Sequence, residues 1–505
     1  MSLALAIAAA LLGPPAPPAD TTIHLLDSDL QWNLHMLPVA GKASEFFSAS
    51  WRMRLGAHPG PGYSFVLGSQ GDGPDVGPGD YPDCVHIGGC RPFAVAFRTY
   101  DPKTDDIFNG QGNIYDRPQR EIALYWGGVE VADRLSPAEF RTGDWVPTAV
   151  DVHYVTGGAE VTVKVAATPV YDRFFVPEMA PYDSGAFFMA STTGGPPKEH
   201  AKLDIDTPQA TWSRPVGPPR PPVHVSAIKE ALNDAGHTSL VNDVDFPSSA
   251  KGVGRVICTL KLDKTPKGLD PWDRCASIYV TDDKGEKIEI VRYITPYSRA
   301  YTWKVDVTDY LPLLLGRRKL EVACTTYGVG WLVSVDFDFY KGRLRDVPYK
   351  IEKLWSGWVA IGLKEKPESL FFTPKNLTID RKVSKVKLRF YVTGHGMGPN
   401  SDDAAEFMPI KRTAWVDGTP FESLLWKDDN YLNPCRPQGG TWKFDRAGWG
   451  PGDVVHPWDI DITGCVKKGD VNEFRYANAP WVNKTPNYGF LAQHWVEAQV
   501  ISYRR

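Results

Sequence analysis

VSVDFDFYKG, residues Val333 to Gly342, decides the fold class. Val333, Val335, Phe337 and Phe339 fall on one side of an extended chain, and Ser334, Asp336 and Asp338 on the other, the two-residue period of a half-buried strand. Working outward, similar short runs recur in SASWRMRLG (Ser48–Gly56), YSFVLG (Tyr63–Gly68), PFAVAFRTYD (Pro92–Asp101), REIALYWGG (Arg120–Gly128), AEVTVKVAA (Ala159–Ala167) and FFMASTTGG (Phe187–Gly195). Turn residues separate them, drawn from 46 Gly and 43 Pro spread along the chain. Long helical periodicity is nearly absent; the best helix candidate is the loosely spaced VSAIKEALNDAG, Val225–Gly236. The pattern predicts an all-β chain of sandwiches.

At 505 residues the chain exceeds one ordinary domain. SRPVGPPRPPVHV, from Ser213 to Val225, is Pro-rich and predicts an extended linker. A weaker break lies near Asp346–Lys350. The expected parts are a signal peptide over 1–20, a sandwich over 21–215, a linker over 216–224, and two further domains over 225–348 and 349–505. The run Leu3–Leu12 has the length of a signal-peptide core and is too short to span a bilayer, so the expected location is secreted or periplasmic.

A net charge of −4 gives no electrostatic footprint for nucleic acid. Aromatic residues make up 12% of the chain, a content that suits either stacking on sugar faces or the filling of β-cores. Seven cysteines fit an oxidising compartment. Cys84 with Cys90, Cys258 with Cys275, and Cys435 with Cys465 are plausible pairs, leaving Cys324 over. No CxxC pair points to a structural zinc site, and the expected metal and cofactor content is none.

Over 21–215 the strand order resembles the concanavalin-A-like lectin/glucanase sandwich. Where calcium-binding members of that superfamily carry an acid, this chain has Arg98. The loop FNGQGNIYD (Phe108–Asp116) offers Asn109 and Asn113 to a sugar, beside the plainer reading of a sandwich without ligand. A glucanase needs two carboxylates about 5–9 Å apart, and no E-x-D-x-x-E run supplies them.

GLDPWDRCASIYV, Gly268 to Val280, carries the chemistry. Read as a strand, it puts Trp272, Arg274, Ala276, Ile278 and Val280 on one face and Asp273 with Cys275, Ser277 and Tyr279 on the other. An acid between Trp and Arg at a strand entrance is a candidate catalytic carboxylate; taken alone, an ordinary surface Asp–Arg pair or a turn Asp is the favoured reading. The segments WDR, RYITPY, WKVDVTDY and SVDFD, then TGHGMG, DDAAEFMPIKRTAWVDG and FDRAGWGPG, occur in this order. That ordered set, from about Val225 onward, resembles the peptide-N-glycosidase F family. The resemblance implies two eight-stranded antiparallel jelly rolls packed side by side and hydrolysis of the amide joining N-acetylglucosamine to asparagine. Carried over by position, Asp273 and Glu406 are the expected catalytic acids. Arg274, Trp272, Arg446, Trp449, His395, Tyr327 and Thr325 are the expected substrate-site residues, with no metal.

Departures from the family pattern are equally legible. A site carboxylate corresponds to Thr325 and the adjacent aromatic to Tyr327. Ala404, Met408, Leu269 and Gly450 stand at cysteine positions, and His395 at a tryptophan. Two readings therefore stand side by side: an amidase acting on N-linked glycans of glycoproteins or glycopeptides, and a non-catalytic carbohydrate-binding protein of the same fold. A copper monooxygenase with paired jelly rolls needs clustered His and Met ligands, and the 11 His are scattered. The expected protein is a monomer with no nucleic-acid or membrane partner. In the expected mechanism Asp273 polarises water or the amide, Glu406 transfers a proton or holds the sugar-proximal water, and Arg274 and Arg446 offset developing negative charge and keep the acids ionised.

Overall fold

The computed structural model describes residues 22–26, 32–56, 62–68, 93–98, 120–191, 202–396, 405–486 and 491–505. Cys84, Cys90, the loop 108–116 and the segment 1–20 lie outside the described residues. Every sheet is antiparallel, as the alternating pattern predicts.

Two six-stranded sheets form the N-terminal sandwich. They bury the inward faces of strands such as Phe46–Leu55 and Phe93–Arg98 in one aromatic core. Trp51 stacks on Phe65 at 4.9 Å and Tyr63 on Phe97 at 4.5 Å within it.

Two eight-stranded jelly rolls follow, each a pair of four-stranded sheets. Numbering each roll's own strands, both have the order 1-8-3-6 facing 2-7-4-5, so the topology repeats. The first covers Val223–Lys341 and the second Val347–Arg504. In the first, Val333, Val335, Phe337 and Phe339 point into the core beside Val256 and Leu260, as the opening alternation requires.

The helix expected over 225–236 is a strand, Val223–Asn233, paired with Trp331–Lys341. Its Ala, Lys, Glu and Leu favour helix, but at a few tenths of a kcal/mol per residue or less such preference is overridden by pairing with a waiting strand edge. Register shifts between Ser226 and Ile228 and between Ile228 and Ala231 bring Ala227 and Ile228 to the core despite the imperfect alternation.

The expected pairs Cys258–Cys275 and Cys435–Cys465 are not formed: all four thiols are free, as is Cys324. Cys258 points into the first roll's core, whereas Cys275, on the facing sheet, turns outward to His395, so their side chains diverge. Cys435 lies beneath Gly452, and Cys465 sits in the turn after strand Trp458–Asp461.

Polar groups fasten the two rolls together. Ile294 and Val455 donate backbone hydrogen bonds across the seam to Asp453 and Arg292, and Gly452 donates back to Ile294. Arg292, fully buried, chelates Glu289 at 2.6 and 2.7 Å and donates to the Trp495 carbonyl at 2.7 Å. The N-terminal sandwich packs on both rolls: Arg255 lies 3.7 Å over the Phe175 ring, Lys304 pairs with Glu178 at 2.5 Å, and Arg436 reaches Asp133 at 2.6 Å.

Candidate functional site

The WDR segment is not itself a strand. The strand starts at Cys275, and Trp272 to Arg274 form the turn leading into it. Two interactions shape that turn. The buried carboxylate of Asp270 accepts from the Trp272 and Gly330 amides and the Thr326 hydroxyl. Thr295 accepts from the Arg274 amide at 2.7 Å and donates to the Trp272 carbonyl at 3.0 Å. Asp273 is thereby held at the seam between the rolls, facing the second.

Glu406 comes from the second roll, on a single 3-10 turn, Ala405–Phe407, beyond strand Lys385–His395. The turn sits directly on that strand. A Cβ at Gly394 would stand 2.2 Å from the Ala405 carbonyl oxygen and 2.6 Å from the Ala447 Cβ, so only glycine permits the approach.

Arg446 joins the two acids. Fully buried, it brings Nε to 3.2 Å from Glu406 and Nη2 to 3.9 Å from Asp273. Its other donors are spent on the Thr441 carbonyl (3.1 Å), the Phe444 carbonyl (3.2 Å) and the Thr441 hydroxyl (2.8 Å). Backbone bonds with Lys427 in both directions hold the residue itself. Arg446 thus pairs with carboxylates brought in from distant segments.

The electrostatics differ from the sequence expectation of two ionised acids. Burial raises the Glu406 carboxyl to about 7, against the pull of Arg446 and with a push from the Asp273 charge. Burial also raises Asp273, opposed by Arg446, by a hydrogen bond from Tyr297 and by Arg274. One cation shared by two desolvated acids does not compensate for lost water at both. The pair therefore favours holding one proton between its members near neutral pH.

The remaining expected site residues divide by position. Arg274 lies 5.5 Å over the Tyr327 ring, with Nε 4.0 Å from Asp270 and no hydrogen bond to that nitrogen. Trp272 and Tyr327 stand exposed at the rim, 56% and 82% accessible. Thr325 is also exposed, and it is its neighbour Thr326 that serves the site, through Asp270. Trp449 is no open platform: Arg446 covers one side at 4.8 Å, His395 stacks at 5.0 Å, and its indole N–H donates to the Gly394 carbonyl. His395 accordingly packs as a wall, 3.5 Å from the Cys275 sulfur, and burial holds its imidazole well below the usual range.

Four contributors escaped the sequence reading. Tyr297 hydrogen-bonds Asp273, and its hydroxyl lies 3.3 Å from that of Thr441. Phe407 sits 5.0 Å from the Arg446 guanidinium, and Trp358, half-exposed, extends the aromatic wall 5.2 Å beyond His395. Tyr297 lies inside RYITPY, so its motif was visible; Thr441 and Trp358 had no local signal.

Comparison with known proteins follows the same division. The family described as "Peptide-N-glycosidase F, C terminal" matches residues 368–496. Peptide-N(4)-(N-acetyl-beta-D-glucosaminyl)asparagine amidase F of Elizabethkingia miricola is 29% identical over 276 residues, spanning 52% of this chain and 77% of that protein. A crystal structure of a peptide-N(4)-(N-acetyl-beta-D-glucosaminyl)asparagine amidase superposes with a TM-score of 0.51 and 25% identity, covering 56% of this chain and 96% of that one. A recombinant peptide:N-glycanase F gives 0.50 and 24%, with the same coverages of 56% and 96%. Over residues 368–496 the chain thus matches the peptide-N-glycosidase F C-terminal family, and its paired jelly rolls share the fold of that amidase.

Proposed function

We propose that this protein is a secreted or periplasmic amidohydrolase that cleaves the amide between N-acetylglucosamine and asparagine in N-linked glycopeptides or glycoproteins, with the N-terminal sandwich as a lectin-like accessory. One observation carries the reading: carboxyls from two different jelly rolls, Asp273 and Glu406, meet on the single buried guanidinium of Arg446. The likeness to the Elizabethkingia peptide-N(4)-(N-acetyl-beta-D-glucosaminyl)asparagine amidase F supports the choice of bond.

Each residue has a distinct part. Ionised Asp273 takes a proton from the water that attacks the asparagine side-chain carbonyl. The tetrahedral oxyanion gathers charge beside Arg274, whose Nε lacks a hydrogen-bond partner. Collapse breaks the C–N bond as Glu406, in its acid form, gives its proton to the departing nitrogen. The products are aspartate and a glycosylamine. Arg446 takes no proton; with its donors committed, it fixes the two acids relative to each other. Trp272 and Tyr327 flank the entrance as sugar-stacking faces.

The experiment is incubation of the full chain with a denatured N-glycoprotein, followed by mass spectrometry for glycan release with asparagine converted to aspartate. Release abolished by Asp273→Asn supports the reading; release that survives that change rejects the assignment. The exposed Thr325, standing where the family pattern has an acid, favours the second reading, a glycan-binding protein without catalysis. Glycan binding without release from any N-glycan class would establish it.

A further inference from the structure

We propose that Arg436 is a positioning residue through which the docked N-terminal sandwich holds the active-site loop of the second jelly roll in its working shape. Resting on the amidase reading above, this gives that sandwich a catalytic consequence independent of any sugar it binds.

The loop in question runs from Asn433 to Thr441. Arg436 leaves it to enter the N-terminal sandwich, where its fully buried guanidinium meets Asp133 at 2.6 Å and Glu130 at 3.2 Å, with Glu121 at 3.8 Å. Those acids are held from their own side: Arg98 donates to Asp133 and Glu130 at 2.9 Å each, and the Tyr125 hydroxyl donates to Glu130 at 2.9 Å. Arg98 thus stands where the lectin pattern has an acid, and its position serves this junction.

The next residues connect the junction to the catalytic acids. The Pro437 carbonyl accepts from Arg299 at 2.6 Å. Gln438 accepts from the Tyr297 amide at 3.1 Å and donates to the Pro451 carbonyl at 2.8 Å. Thr441 accepts from Arg446 through both its carbonyl and its hydroxyl. Tyr297 touches Asp273, and Arg446 touches Glu406. Loop residues so placed govern the separation and orientation of the acids.

A buried ion pair is poor evidence for stability, because desolvation offsets its attraction; its better-attested use is to select one arrangement over others. Arg436 cannot keep its guanidinium buried in this position unless the carboxylates of the other sandwich are present. The loop shape and the docking of the N-terminal sandwich are therefore one equilibrium.

The test uses the full chain carrying Asp133→Asn, which alters no residue of either jelly roll, beside Arg436→Gln and the double variant. The expected result is amide hydrogen exchange over residues 433–441 faster by about tenfold or more, with exchange in strand Val253–Asp263 unchanged. Turnover of a glycopeptide should fall about 10- to 100-fold in kcat with little change in KM, because geometry is lost while the rim that receives sugar is intact. The double variant should be no worse than either single one. Unchanged loop exchange in folded Asp133→Asn overturns the proposal, as does a raised KM at normal kcat, which would assign the sandwich to substrate capture. Should Asp133→Asn fail to fold, Glu130→Gln, which removes the 3.2 Å contact, takes its place under the same criteria. Absence of glycan release from the unmodified chain would reject the amidase reading, and the exchange measurement would still decide the brace.

Discussion

Arg446 Nε stands 3.2 Å from Glu406, and the same guanidinium reaches toward Asp273 at 3.9 Å, so one cation serves two acids from two domains. The acids also act on each other: the Asp273 charge raises Glu406. The site behaves as a coupled pair with a shared counter-charge.

The first expectation concerns pH. Burial raises the Glu406 carboxyl to about 7, and the proposed mechanism uses its acid form, so kcat/KM for glycopeptide should decline as pH rises through 7. Glu406→Gln should lower the rate roughly 100-fold or more and remove that limb. A pH–rate profile of both proteins checks it; a limb at pH 7 persisting in Glu406→Gln assigns the proton elsewhere.

Stability carries the same signature. Because the folded pKa of Glu406 lies above the ordinary carboxylate value, the native state binds more protons than the unfolded state between about 4.5 and 7. This group's contribution is full below that window and is lost as pH rises through it. Denaturant unfolding across pH 4–8 should show less decline over the window in Glu406→Gln than in the unmodified protein.

Asp273→Asn removes a charge that holds Glu406 up. In that variant the Glu406 carboxyl should titrate below 7, read by carbon NMR of labelled glutamate, while glycan release drops by about 100- to 10,000-fold. A Glu406 titration that does not move would separate the acids electrostatically.

Arg446→Met leaves two buried acids without their shared cation and the Thr441 and Phe444 carbonyls without a donor. The expected cost is about 3–5 kcal/mol in chemical denaturation, with release abolished. Arg446→Lys keeps the charge and loses the planar fork, and should restore much of the stability with little of the activity. Equal activity in the Lys variant would make the guanidinium geometry irrelevant.

Free thiols give a test independent of chemistry. Denatured without reductant and treated with an alkylating reagent, the protein should carry the label on Cys258, Cys275, Cys324, Cys435 and Cys465. Peptide mapping that finds Cys258 joined to Cys275 would contradict the divergent directions of their side chains.

Legibility varied with the range of the cause. The strand Trp331–Lys341 reads directly, because alternation is a property of neighbouring residues and its buried face follows from it. The segment Val225–Gly236 misleads for the same reason: its local preference is helical and its partner strand lies a hundred residues downstream. Asp273, Glu406 and Arg446 were nameable as candidates from the order of their motifs. That Arg446 bridges the acids, that Trp449 has both faces covered, and that Thr441 supports the guanidinium were not.

The sequence alone determined an all-β chain from its strand period and, through the order of its motifs, a resemblance that implies paired jelly rolls and singles out Asp273 and Glu406 as candidate acids. Only the tertiary structure decided how those acids are charged, which thiols stay apart, and how Arg436 of the loop 433–441 enters the N-terminal sandwich. Proton affinity depends on which remote segments exclude water from a carboxyl and which cation they bring near it. No stretch of neighbouring residues encodes that.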